Sequence, residues 1–495
     1  MNKIITLFAI LNCLVKVTLA QSSYFMTFHS DKNEKPFDVI EDSNHDILAV
    51  GIRDIDDSQE DSYNGMIWKI AANGDTLSRV YSFGDTSIYF NYIEQRGESY
   101  YIIGTSFIPP LFEDSKLEVL QLDSDLNVLS KRTIVDRNSY MMIDNKIRKL
   151  GDNYYLLGME ETDSCNYDIV IKLSEDFSLN NFYRIWEKRC KLMDCLLSPD
   201  SNQFWLFTAG YNEEFGPELS VFDTSMNFIQ LKNFPYKLWP GTGDLETGYL
   251  RNLTVKWYTD TTFLVICNHE QTYNNGDILV QELGASVMDS SLSLVPVHYF
   301  SNPDTIDYAG FMTNQDFITT DEIFFCGNKN VIAMFYPPFP SWIIAGKLNN
   351  QLESEYVNYF GGDAYYRTHS IKATSDGGSI IIGKRYDHLT QNYEWDVTFL
   401  KLNSEGLITD TKYLPCHITD KAWIYPNPAD SYLNIESTYS SGEVRIYTTA
   451  GILLISENFE GNAFRVDIDR LLPGIYLCDI IDKTGKKITN KICKY

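Results

Sequence analysis

Long apolar runs are missing from most of this chain. After the first twenty residues no stretch reaches the roughly 20 apolar residues that a spanning helix needs, so the mature chain is expected to carry no transmembrane segment. Metal and nucleophile signatures are also missing. The nine cysteines form no C-x-x-C pair, which leaves a zinc site without support. The seven histidines (His29, His45, His269, His298, His369, His388 and His417) are scattered, with no H-E-x-x-H, and G-x-S-x-G does not occur. Positive charge is short. Forty-one Lys and Arg stand against 67 Asp and Glu, a net charge of −26, and that field repels nucleic acid and anionic membrane. Helical periodicity is scarce, whereas 33 Tyr, 28 Phe and 8 Trp suit pleated, half-buried strands. The reading is all-β, with room in 495 residues for two or three domains.

Met1–Ala20 has the form of a secretory signal peptide: Lys3, the apolar run Ile4 to Leu11, and small-residue cleavage after Thr18-Leu19-Ala20. Asn12 and Lys16 interrupt the run, against an anchor, and Asn12 before Cys13 argues against a lipidated cysteine. Removing Lys3 and Lys16 deepens the net charge from −26 to −28. Export permits disulfides, and Cys190 and Cys195 are close enough to pair across a loop. Cys267, Cys326 and Cys478 lie inside apolar strand runs, where buried free thiols are the plainer expectation.

The centre of the chain repeats. Thr368 to Gly383 reads strand, polar turn at Asp376-Gly377-Gly378, and strand ending in Gly; a third strand and the turn Asn403-Ser404-Glu405-Gly406 follow. The strand ending recurs at Gly51, Gly104, Gly158, Gly210, Cys267, Gly327 and Gly383, at spacings of 53, 54, 52, 57, 60 and 56 residues. Seven copies of a four-stranded unit with two apolar faces cannot stand alone. Stacking them radially buries those faces, so residues 22–415 are expected to form a seven-bladed β-propeller. Tyr24–Phe28 resembles an orphan fourth strand that locks the ring through the last blade; residues 406–413 are the other candidate. The units resemble propeller-like repeats of secreted Bacteroidetes proteins with a D-G-G-y-i-i-G … K-l-n-x-x-G pattern, matched closely in the last copy. That resemblance implies a scaffold rather than an activity.

Beyond a linker at 416–422 the period breaks. Residues 423–495 give about seven short strands with turns at Pro426-Asn427-Pro428, Ala450-Gly451, Pro473-Gly474 and Thr484-Gly485, a small Ig-like antiparallel β-sandwich. The order Tyr425-Pro426-Asn427-Pro428, Leu433-Asn434-Ile435, Gly451, Leu472-Pro473-Gly474-Ile475-Tyr476 and Gly485 closely resembles the type A C-terminal sorting domain of the type IX secretion system. The resemblance implies passage through the periplasm, recognition by an outer-membrane export machine, removal of the tail near 416–422, and release or attachment at the surface.

Chemistry is less legible. Short turns (41–46, 95–98, 403–406) should share one face, and long loops (53–63, 105–115, 328–341, 384–394) the other. The long-loop face gathers Tyr236, Trp239, Tyr336, Tyr365, Tyr366, Arg367 and His369 as candidate ligand contacts, though such aromatics also pack loops onto blade rims. His369 beside Arg367 and Asp363 is the mixed cluster to inspect. Asp123-x-Asp125-x-Asn127 has alternating oxygen ligands, as in a Ca2+ loop, but lacks the Gly and distal Glu and occupies a hairpin turn. No cofactor is expected, with Ca2+ at that turn the one other reading. The expected function is a secreted or surface-exposed binding module for a glycan or protein. A polysaccharide hydrolase or lyase and a passive surface-layer or adhesion component are the alternatives.

Overall fold

The computed structural model describes residues 23–55, 62–109, 113–162, 165–186, 191–209, 218–233, 247–273, 278–292, 298–300, 307–331, 336–390, 394–409, 422–425, 429–437, 439, 441–448, 451–461, 463–483 and 487–495. The signal-peptide region, most of the linker, Tyr236, Trp239, Pro426 to Pro428 and Gly485 lie outside them. The chain divides into two compact units, Met1–Leu414 and Pro415–Tyr495. All assigned elements of both are strands, and no helix among the described residues is long and apolar enough to cross a membrane.

Among the described residues of the first unit, seven antiparallel sheets follow one another along the chain. Their first strands are Glu34–Glu41, Ser87–Arg96, Tyr140–Leu150, Lys191–Leu197, Thr247–Trp257, Asp307–Ala309 (with Gln315–Asp316) and Tyr365–Ala373. We number the sheets one to seven in that order. The seventh takes its outer strand from the start of the chain: Tyr24–Phe28 pairs with Trp395–Leu402, Tyr24 opposite Lys401 and Phe28 opposite Val397. Second and third strands are buried along nearly their whole length, as Ile47–Asp54 and Trp395–Leu402 show, whereas outer strands such as Val128–Asp136 are mostly exposed. Each sheet thus has two apolar faces. Buried clusters join sheets one and two, two and three, three and four, four and five, five and six, six and seven, and seven and one. Each fully buried Ile, Leu or Phe contributes about 1.5–3 kcal/mol.

The repeated glycine has a local cause. The first strand of six sheets breaks register, at 36/38, 90/92, 142/146, 192/194, 251/254 and 368/370. These are β-bulges, which bend the strand and leave residues unpaired. At four of these bulges, in sheets one, two, three and seven, a first-strand carbonyl lies against the second strand. A Cβ on Gly51, Gly104, Gly158 or Gly383 would overlap the carbonyl of Lys35, Tyr89, Met142 or Arg367, and on Gly327 it would stand 2.6 Å from that of Tyr308.

The turns that follow the third strands are uniform, with a left-handed residue at one position: Gly74, Leu126, Phe177, Met226, Leu292, Leu352 and Gly406. Polar turns were expected there. Five of the seven hold a large apolar residue at positive φ, at a cost of about 1–2 kcal/mol each. Burial offsets it, since Leu126, Phe177, Leu292 and Leu352 plug the joints between sheets. Asp123 serves its turn: its carboxylate accepts the Asn127 N–H at 2.7 Å and Nδ2 at 3.0 Å. Cys195 is a buried free thiol and is not in the disulfide considered for it, while Cys190 lies outside the described residues. Cys267, Cys326 and Cys478 are buried.

The second unit has a three-stranded sheet (Ala422–Tyr425, Tyr432–Ser437, Ala463–Asp467) and a four-stranded one (Leu453–Glu460, Ser441–Thr448, Gly474–Asp482, Lys487–Lys494). Both contribute to one core, including Leu433, Ile435, Val466, Ile446, Ile480 and Ile492. Gly451 turns at φ +83° with its N–H on the Thr448 carbonyl. Pro473-Gly474 opens the Gly474–Asp482 strand, and the Tyr476 hydroxyl returns to the Leu472 carbonyl at 2.7 Å.

Gly104→Ala is expected to destabilise the protein by about 1–3 kcal/mol, the cost of overpacking. Urea unfolding checks this, and an unchanged midpoint would disprove the bulge account of the glycine.

Candidate functional site

The bulged first strands converge. Residues of sheets one, two, three and seven, with Met312 and Thr313 of sheet six, line one cavity of about 70 Å³. Around it a polar girdle links each first strand to the next. Asp38 accepts the Ile93 N–H at 3.2 Å, and Asn91 Nδ2 donates to the Ile143 carbonyl. Arg148 Nε reaches Asp194 Oδ1 at 2.7 Å, Lys146 Nζ reaches Oδ2 at 3.1 Å, and the Val255 N–H donates to Oδ2 at 2.8 Å. Lys256 Nζ holds Asp316 Oδ1 at 2.6 Å, and the Ala373 N–H holds Oδ2 at 3.1 Å. Ser370 Oγ donates to the Phe37 carbonyl at 2.8 Å and returns the girdle to sheet one.

Three links share one device. Asp38, Asp194 and Asp316 each accept a backbone N–H from the next sheet's first strand. Burial opposes the charge on Asp194, but Arg148 and Lys146 outweigh it and hold the carboxyl below the ordinary range. Burial pushes Lys146 down to about 8, with Asp194 opposing. Asp38 is raised, by burial first, with Lys372 only partly countering. Asp194→Asn removes the counter-charge of the buried Lys146 and the partly buried Arg148 and should cost about 3–5 kcal/mol. Thermal unfolding near pH 7 would show it, and a loss under 1 kcal/mol would deny Asp194 its part in the girdle.

Beside the girdle, on the strand ends that lead into the long loops, lies a basic cluster. Arg367 and Lys384 are direct cross-strand partners, an arrangement of like charges that destabilises a sheet. Lys384 Nζ stands 4.0 Å from the Trp395 ring centre, and the Arg367 guanidinium lies 5.6–5.8 Å from the rings of Trp395, Tyr365 and Phe311. Lys35 of sheet one lies over Phe37 at 4.7 Å. His369, the bulge residue of sheet seven, is 3% exposed, and neither ring nitrogen has a hydrogen-bond partner among the described residues. Burial, then Lys35, Lys384 and Arg367, drive its pKa well below the ordinary value. Lys384 is driven down by burial, then by Lys35 and Arg367, with Asp54 opposing.

The other named residues fall differently. Tyr365 is wholly buried, packed on Trp395 at 6.0 Å and Phe339 at 5.8 Å. Tyr366 is buried against Phe25, its hydroxyl on Asp363 at 2.7 Å. Tyr336 packs on Tyr386 at 5.1 Å. Asp363 pairs with Arg385 at 3.3 Å, so the Arg367–His369–Asp363 grouping read from sequence does not form as a unit. Lys35, Lys384 and Phe311 were missed. A signal existed for Lys384, because the copies ending at Gly51, Gly104, Gly158 and Gly327 follow the glycine with Ile, Thr, Met or Asn.

Glu34, next to Lys35, has its carboxyl pushed up to about 7 by burial, with Ser30 and Arg53 partly offsetting. The folded state therefore binds a proton that the unfolded chain has lost above about 4.5, so this group's contribution to stability falls as pH rises from there toward 7. Glu34→Gln should flatten that part of the stability–pH curve. Denaturant midpoints between pH 4.5 and 8 check it, and an unaltered slope would refute it.

Residues 423–495 match the family of secretion system C-terminal sorting domains. That match supports export to a secreted or cell-surface location. No curated protein matches the chain. Among solved structures the chain is similar to hydrazine synthase of Kuenenia stuttgartiensis (10% identity, TM-score 0.42, covering 74% of this chain and 95% of that one). It is also similar to Sqt1 of Chaetomium thermophilum (9%, 0.39, 77% and 99%) and the NanB sialidase of Streptococcus pneumoniae (12%, 0.35, 79% and 70%). Likeness at these scores carries neither activity nor ligand to this chain.

Proposed function

We propose that the chain is an exported protein of a Bacteroidetes cell, with a signal peptide at 1–20, a seven-bladed β-propeller over 22–415, a linker at 416–422 and an Ig-like sorting sandwich at 423–495. The propeller acts as a binding module at the cell surface or in the medium. Seven sheets, seven buried joints and a girdle that returns to its first sheet support the ring. The observation that carries binding is the basic cluster. Lys384 opposite Arg367, beside a buried His369, is costly packing that a scaffold alone does not require, and such costs concentrate at functional sites. A polysaccharide-cleaving activity would find a poised acid in Glu34, but its burial favours the binding reading.

Incubating the intact secreted protein with an array of glycans and surface proteins tests this. Selective capture is expected, and no capture of either class would overturn the binding assignment. Deleting residues 423–495 is expected to strand the protein in the periplasm, read by fractionation; unchanged export would remove the tail's role. Terminal sequencing of the released form is expected to place an end within 416–422.

A further inference from the structure

We infer that the cluster of Lys35, Arg367 and Lys384 over His369, flanked by Phe311, binds the acid group of an acidic saccharide. This rests on the binding-module reading and names the ligand class for that site. Arg367 and Lys384 project from paired positions of adjacent strands, and Lys35 joins them from the neighbouring sheet. All three act electrostatically on the same imidazole. In a chain of net charge −26 three cations thus stand together with Asp54 as the carboxylate acting on Lys384, and attraction at short range survives where the distant field is screened.

His369 supplies the second observation. Its ring nitrogens are buried and lack hydrogen-bond partners among the described residues, and such groups call for an explanation, an ion or water being the usual one. A neutral imidazole offers one N–H to an oxyanion, while the guanidinium and ammonium groups supply charge-assisted hydrogen bonds to its oxygens. Phe311 indicates a sugar. Phe311 is 36% exposed, unlike the buried Tyr365 and Trp395, and its ring lies 5.7 Å from the His369 ring and 5.8 Å from the Arg367 guanidinium. An exposed aromatic face beside cations suits a pyranose whose apolar side stacks while its carboxylate or sulfate meets the charges.

Calorimetric titration of the full mature protein with trigalacturonate, a chondroitin sulfate hexasaccharide, cellotriose and a hexaglutamate peptide tests the assignment. One of the acidic saccharides should bind at least tenfold more tightly than cellotriose and the peptide, and weaken as salt rises. The first two probes separate a uronate from a sulfate. K384Q should weaken that binding at least tenfold while raising Tm, because a like-charge contact is relieved; F311A should weaken it with a smaller change in salt dependence. Equal binding of cellotriose, preference for the peptide, or unchanged affinity in K384Q would overturn the inference while leaving a binding module in place. No binding by either acidic saccharide would overturn it too, and the array result would then tell whether the module reading falls with it. A lowered Tm in K384Q with intact affinity would make the cluster a packing feature.

Discussion

Everything in the first unit hangs on a carboxylate that reaches one sheet ahead. Asp38, Asp194 and Asp316 stand on first strands and take an N–H from the following one. The bulges bend those strands and leave backbone groups that the regular ladder would have used. The girdle satisfies several of them. Asp194 and Lys146 are buried, so their pairing does little for stability in net terms, whereas the loss of one of them leaves the other with the full desolvation penalty. The girdle therefore fixes order and register of the sheets more than it stabilises them. The apolar joints, with the left-handed Leu and Phe plugs at their ends, supply the stability.

The same bulge connects architecture to the candidate site. In sheets one, two, three and seven it puts a carbonyl against the second strand, where glycine avoids the overlap, and it turns one side chain aside from the regular alternation. In sheet seven that side chain is His369. The residue after the glycine, Lys384, and the residue two before the bulge, Arg367, then face one another. In sheet one the residue two before the bulge is Lys35. A backbone feature common to the repeats becomes particular through the residues it displays in one sheet and its neighbour.

Much of this was legible in the sequence. The glycine-terminated strand at near-constant spacing disclosed the sheets, since backbone crowding leaves few residue choices. Tyr24–Phe28 was recognised as a strand in search of a sheet, and the tail by its turn residues in order. The girdle was hidden because three aspartates among 67 acids carry no local mark of their partners, which lie 55 to 61 residues on. The apolar turn plugs were hidden because left-handed Leu and Phe run against propensity and are held by burial that no local pattern reports. Of the site, Arg367 and His369 were named and Lys384 was passed over. The tyrosines beside them were chosen for their type, and the fold buries Tyr365 and Tyr366.

The seventh sheet is finished by the opening residues of the chain. Until Tyr24–Phe28 returns, the strand Trp395–Leu402 offers a bare row of backbone donors and acceptors. Its proper partner is separated from it by most of the unit, and closing so long a loop costs entropy. A neighbouring molecule carries the identical segment and meets the same edge with the same side chains. The pairing that closes the seam within one chain is thus chemically the same as one made between two.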